Sequence, residues 1–179
     1  AHHENGNPAN NIYNGPDAYK DLQFFWFNKS WENNSLSLLF LNNGVPVMET
    51  SGQKTKYSQT LGGRFSTSVE GISLSANLYY QTGNHFSGKK INALNFLAEA
   101  AMKNGVSAGY EYLSGNSFDK NDKVYAFTPL YGTNHKFNGF MDYFFVGNHI
   151  NSVGLNDVFV KFSGLKDNIG YQAHLHYFA

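Results

Sequence analysis

His174 and His176 stand two residues apart, and on an extended strand that spacing points both imidazoles to one face. Two imidazoles can begin a zinc site, but no third ligand stands at a fitting spacing and the chain has no cysteine to supply a thiolate. The pair therefore reads as structural or solvated. Glu99 and Glu111 are carboxylates of the kind that glycoside hydrolysis uses in pairs, yet nothing in the spacing sets their separation across a hairpin. No nucleophile elbow or phosphate-binding loop is present, and no Ser, His and Asp arrangement follows from the order of residues. The expectation is a protein that is not an enzyme and holds no metal or cofactor.

The 179 residues suffice for one domain of ordinary size. Only 15% are charged, against about 25% in average soluble proteins, while 17% are aromatic and 18 are glycine. Thirteen basic residues balance thirteen acidic ones, and Arg64 is the single arginine. That balance excludes a nucleic-acid binder, which needs a basic footprint against phosphates. No stretch approaches the roughly 18 apolar residues of a membrane helix. If the chain spans a membrane, it does so as a barrel.

Period-two alternation marks nine segments. They are Leu22 to Trp31, Ser35 to Leu41, Lys56 to Val69, Ile72 to Gln81, Ile91 to Lys103, Val106 to Leu113, Lys136 to Val146, Val153 to Phe162 and Ile169 to Phe178. Most are about ten residues long, the length that crosses a bilayer when tilted by around 45°. Residues 91–103 also fit helical spacing through Leu94, Leu97, Ala98 and Ala101, but the Asn104-Gly105 turn that follows favours a strand. Asn33-Asn34, Glu70-Gly71 and Asn104-Gly105 read as short turns, the last as a type I′ hairpin. Longer links lie between them at Asn42 to Thr55, Thr82 to Lys90 and Ser114 to His135, with Gly147 to Ser152 and Ser163 to Asn168 less regular. Residues 1–21, rich in Asn, Pro and Gly, read as a leader or loop, and 22–179 as one domain.

Charge separates by parity within the strands. One parity carries Leu36, Leu38 and Phe40, then Ile72 to Tyr80 by twos, then Val158, Val160 and Phe162, and Leu22, Phe24 and Trp26 are assigned to it as well. The other carries Lys29, Lys56, Arg64, Glu99, Lys103, Glu111, Lys136, Asp142, Asp157 and Lys161, with His174 and His176. A bilayer enforces such segregation, because a Lys or Arg facing lipid at the midplane costs about 2–4 kcal/mol. The expected fold is all-β, an antiparallel up-and-down transmembrane barrel. Nine strands being odd, either the count is off by one or the chain is part of a longer barrel, since single-chain bacterial barrels have even strand numbers.

The function expected of that fold is passive passage of polar solutes or oligosaccharides through an outer-membrane channel. Arg64, Glu99, Lys103, Glu111, Asp142, Asp157, Lys161 and His174 are the expected pore lining. The loop from Ser114 to His135 is expected to fold inward and narrow the pore, with Pro129, Tyr131, Asn134, His135 and Lys136 at the constriction. Phe144, Tyr79 and Phe159 on the inward parity could stack on sugar rings. Partners are then membrane lipids, lipopolysaccharide and the solute, and the location is the outer membrane of a Gram-negative bacterium. The alternative is a secreted or periplasmic carbohydrate-binding β-sandwich, whose charge-free faces would be sealed between two sheets.

One stretch carries a family resemblance. Phe127-Thr-Pro129-Leu130-Tyr131-Gly132-Thr133-Asn134-His135-Lys136-Phe137-Asn-Gly139-Phe140-Met141-Asp142, followed by Gly154-Leu155-Asn156-Asp157, resembles the signature region of the alginate-export family of outer-membrane porins in its Bacteroidetes-type form. The similarity is clearest from Tyr125 to Lys161. It implies a barrel of about eighteen strands, of which this chain would be roughly the C-terminal half. Members that export alginate have a strongly basic channel for a polyanion, and this sequence departs from that pattern with its one arginine.

Overall fold

The computed structural model describes residues 20–119, 122–131, 138–139, 149 and 151–179. Its strands are β1 (Asp21–Trp31), β2 (Asn34–Glu49), β3 (Gly52–Val69), β4 (Ile72–Asn84), β5 (Lys90–Met102), β6 (Val106–Leu113), β7 (Lys123–Val124), β8 (Leu155–Lys166) and β9 (Ile169–Phe178). They form one nine-stranded sheet in the order β1-β2-β3-β4-β5-β6-β8-β9, with β7 joined to β5. Neighbours along that path are antiparallel, and the two-residue β7 runs parallel to the start of β5. β1 and β9 stand at the two ends and are not paired with each other, so the sheet is open. β5 pairs with β4 from Ile72↔Met102 to Asn84↔Lys90. Cross-strand pairing thus overrides the helix propensity of its Ala and Leu residues.

The turns sort by end of the sheet more cleanly than the sequence suggests. Glu32-Asn33 joins β1 to β2, Glu70-Gly71 joins β3 to β4, Lys103 to Gly105 joins β5 to β6, and Asp167-Asn168 joins β8 to β9, all at one end. Glu70, Gly71, Asp167 and Asn168 have positive φ, as type I′ turns require. The β5–β6 turn differs from the type I′ expectation. The Gly105 amide bonds the Met102 carbonyl at 3.1 Å with Gly105 alone at positive φ, the three-residue form with a left-handed glycine. A side chain there would also collide with the Ser163 carbonyl oxygen. At the other end, the expected link from Asn42 to Thr55 is mostly strand, because β2 and β3 stay paired out to Glu49↔Gly52. The described residues of the longest connection, 114–131, start from that same end.

The strand expected at Lys136–Val146 falls outside the described residues except for Asn138 and Gly139. β6 pairs directly with β8, from Val106↔Phe162 to Leu113↔Leu155, so β8 takes the place beside β6 that the sequence reading gave to that strand.

Register settles which side chains share a face. Leu36, Phe65, Ala76, Ala98, Tyr110, Val158 and Tyr177 form one continuous cross-strand row on the apolar face. Ser37, Arg64, Asn77, Leu97, Glu111, Asp157 and Phe178 form the matching row on the polar face. The parity expected for β2 to β6, β8 and β9 agrees with these rows, and that for β1 does not. Trp26 lies opposite Leu39 and Phe24 opposite Leu41, on the polar face, while Lys29 lies opposite Leu36 on the apolar face near the Glu32-Asn33 turn. Lys29 is exposed there, with an aliphatic stem that can lie along the apolar face.

Burial is inverted relative to a water-soluble sheet. Leu78, Leu175 and Tyr177 on the apolar face are 54%, 65% and 70% exposed, with Phe40, Leu61, Phe65, Ile72, Leu74 and Val158 beside them. The polar face holds the buried Asn43, Thr60, Gln81, Asn95, Ser107, Glu111 and Asp157. Among the described residues, the cluster of buried apolar side chains on it is small: Ala93, Leu113, Leu155 and Phe127.

Candidate functional site

The described residues of 114–131 lie against the polar face and are held there mainly by side chains bonding to backbone. Ser114 is the first fastening: its Oγ accepts from the Leu94 amide at 2.7 Å and donates to the Tyr125 carbonyl at 2.7 Å. Asn116 Oδ1 accepts from the amides of Tyr125 and Ala126, at 2.8 and 3.2 Å. The Phe127 ring then packs on Ala93, Leu113 and Leu155. Across the sheet, the Gln81 side-chain amide makes a two-point bond with Thr128, donating to its carbonyl at 2.7 Å and accepting from its amide at 3.0 Å. Farthest over, the Tyr131 hydroxyl donates to Asn43 Oδ1 at 2.5 Å on β2. The segment therefore crosses from β6 to β2 and brings Pro129 and Tyr131 over the polar face. Asn134, His135 and Lys136 lie outside the described residues.

Gln81 is the clearest fastening, since its carboxamide supplies both the donor and the acceptor that the Thr128 backbone needs. Gln81→Ala is expected to release Thr128, weaken the segment's attachment by about 1–3 kcal/mol, and raise its rate of proteolysis with the strands left intact. Unchanged cleavage would show that the Phe127 contact alone holds it.

The expected pore-lining residues divide into two groups. The first is a buried cluster on β5, β6, β8 and β9. Glu111 and Asp157 are direct cross-strand neighbours. Asn138 Nδ2 lies between them, donating to Glu111 Oε2 at 3.1 Å and Asp157 Oδ2 at 3.2 Å, while Asn95 Nδ2 donates to Glu111 Oε1 at 3.0 Å. His176 Nδ1 sits 2.9 and 3.0 Å from the two Asp157 oxygens. Asp157 is 0% exposed, so it stands beneath the Asn138 cover and does not face open solvent, contrary to a role as exposed lining. His176 is stacked on Phe178 and tilted against Phe159. Phe159 in turn packs against Gly109, where an added Cβ would collide with its ring.

The second group is more open. Glu99 Oε1 accepts from Lys161 Nζ at 3.2 Å and Ser107 Oγ at 2.8 Å, and Lys161 Nζ sits 4.3 Å over the Phe159 ring. His174 lies beside Lys161 in register. Arg64 is exposed on the polar face and donates to Asn77 Oδ1 at 2.8 Å. Lys103 lies in the β5–β6 turn, packed over Gly71, and so belongs to the rim at the short-turn end; it is not on a strand face. Asp142 falls outside the described residues.

His174 and His176 are ring neighbours with centroids 6.2 Å apart, and no group of three metal-ligating side chains occurs among the described residues. In the connections, burial pushes the pKa of His149 down, and burial together with Lys89 does the same for His85. Of the aromatics expected to stack on sugars, Phe144 is outside the described residues, Phe159 is buried, and Tyr79 packs on the small apolar cluster. Sequence reasoning missed Asn95, Gln81, Asn116 and Asn138. Each is an amide whose partner is distant in sequence or on a loop, and no periodic signal marks such residues.

These observations define an all-β protein built on a single open antiparallel sheet, with its polar groups buried and its apolar face bare. Comparisons with protein-family models, with curated proteins and with solved structures find no match to this chain.

Proposed function

We propose that this chain forms part of an outer-membrane β-barrel of a Gram-negative bacterium, acting as a passive channel for polar solutes or oligosaccharides. The inversion of burial carries the reading. The most completely buried large side chain is Asp157, while Leu, Phe, Val and Tyr side chains stand uncovered along the opposite face. In water that face would drive aggregation; against hydrocarbon it is the expected surface. From Ile72 to Tyr80 the apolar positions of β4 extend about 26 Å at ~3.3 Å per residue, and strands of this length match a tilted bilayer crossing. The resemblance between Tyr125 and Lys161 to alginate-export porins points the same way.

In this reading lipids and lipopolysaccharide cover the apolar face, the polar face lines the path, and residues 114–131 narrow it. A carbohydrate-binding sandwich would need a second sheet over Leu38, Phe65 and Val158, and the described strands belong to one sheet with these side chains exposed. The open edges of β1 and β9 suit continuation into further strands. With Arg64 as the one arginine, a polyuronate is a poor fit for the path.

The test is single-channel recording from the full-length protein in planar bilayers. Stepwise conductance is expected. Arg64→Glu, which reverses an exposed charge on the polar face, should shift the reversal potential toward cation preference. Absence of conductance would end the channel reading, and conductance with unchanged selectivity would remove Arg64 from the path.

A further inference from the structure

A cavity of about 550 Å³ opens on the polar face at the short-turn end of β1 to β5, away from the loop and the carboxylate cluster. Its floor is a row of hydroxyls. Ser30, Ser35, Ser66 and Ser75 lie side by side in register across four strands, and the row ends at Glu99. The hydroxyls of Ser66 and Ser75 have no protein partner among the described residues and both line the cavity. The charges around it cancel: Arg64 and the Lys161 bound to Glu99 are positive, Glu32 and Glu99 negative. One step along the strands, the next row holds Ser37 and Arg64, and Trp26 adjoins it. The Trp26 ring is 60% exposed and is held by its Nε1 donating to Ser37 Oγ at 2.7 Å.

We propose that this cavity and Trp26 form a binding site for an uncharged saccharide. Resting on the channel reading, this assigns its solute class. Hydroxyl side chains both donate and accept, so a row of them can exchange hydrogen bonds with a polyol in many registers. A flat indole offers the apolar face of a pyranose a partner, and its polar edge is already satisfied by Ser37. The volume falls in the usual range of about 300–1,000 Å³ for small-molecule sites. Cancelled charge gives a uronate no net attraction, and desolvating its carboxylates there would be uncompensated.

The full-length protein in detergent, carrying Trp31→Phe so that Trp26 is the remaining described reporter, is titrated with maltotetraose and with tetragalacturonate, following tryptophan emission and, in parallel, calorimetry. Maltotetraose is expected to bind and tetragalacturonate to bind at least about tenfold more weakly. Trp26→Ala should weaken maltotetraose by roughly tenfold, with Trp26→Phe retaining most of the affinity. Ser66→Ala with Ser75→Ala should weaken it by roughly three- to tenfold. Trp26 is exposed on an edge strand, so these variants are expected to keep the wild-type circular dichroism spectrum. Tighter tetrauronate binding, or maltotetraose binding indifferent to both sets of variants, overturns the proposal. So does no saccharide binding in a protein that conducts ions. Saccharide binding of the expected pattern without conductance leaves this site standing and removes the channel.

Discussion

Leu78→Lys is expected to lower the free energy of unfolding in lipid vesicles by about 2–4 kcal/mol, while Asn77→Lys, one residue away, changes it far less. The two positions are adjacent in β4 and point to opposite faces. Leu78 shares its cross-strand row with Leu38 and Phe96, and Asn77 shares its row with Arg64 and Leu97. An ammonium at position 78 would meet hydrocarbon near the middle of the apolar stretch from Ile72 to Tyr80. At position 77 it would meet the polar face beside Asn77's present partner Arg64, where water and hydroxyls can solvate it. The sign of the difference is the informative quantity. Were the apolar face bathed in water, Leu78→Lys would improve solubility at little cost to stability. Denaturant titration of the two variants in vesicles decides it, and equal losses at both positions would remove lipid from the account.

Asp157→Ala is expected to cost about 2–4 kcal/mol, because it breaks a buried hydrogen-bond network at several points at once. Asp157 is 0% exposed and receives hydrogen bonds from Asn138 and His176. Without it, His176 Nδ1 loses its acceptor in a site where Nε2 already has none, and Asn138 keeps only Glu111. Relief of the repulsion between Asp157 and Glu111 works in the opposite direction, so the loss should fall nearer the lower figure. Asp157→Asn, which keeps the shape and one acceptor, should cost less. The measurement is again the unfolding free energy in vesicles, together with protease access at residues 138–139, which the Asn138 bonds hold over the cluster. A change below about 1 kcal/mol for Asp157→Ala would show that the cluster holds nothing in place. The burial also means that charge reversal at Asp157 tests folding, and ion selectivity is better read at Arg64.

The alternation of β2 to β9 was legible because a strand facing two different media must change residue type at every step. The error in β1 has a definite origin. Lys29 made the parity of Leu22, Phe24 and Trp26 look like the apolar one, since it left the cation on the other side. Pairing of Trp31 with Asn34 around the Glu32-Asn33 turn instead sets odd residues of β1 against even residues of β2. A connection one residue longer or shorter would reverse the face of every side chain in the strand, whereas sliding a two-residue turn along the chain leaves the faces as they are. The same correction moves Trp26 from the apolar face to the polar face, where its Nε1 donates to Ser37 Oγ.

By itself, the amino-acid order determined that the chain is built of long two-faced strands, that one face carries almost no charge, and that tight turns recur at alternate connections. These are local properties, set by a period of two and by residues that accept positive φ. Tertiary structure alone decided the phase of β1, the direct pairing of β6 with β8, and the burial of Asp157 under Asn138. It also decided the clamp of Gln81 on Thr128. The reason is that each depends on which distant residues meet, and an amide or carboxylate waiting for a partner 19 or 47 positions away looks the same in sequence as one left in water.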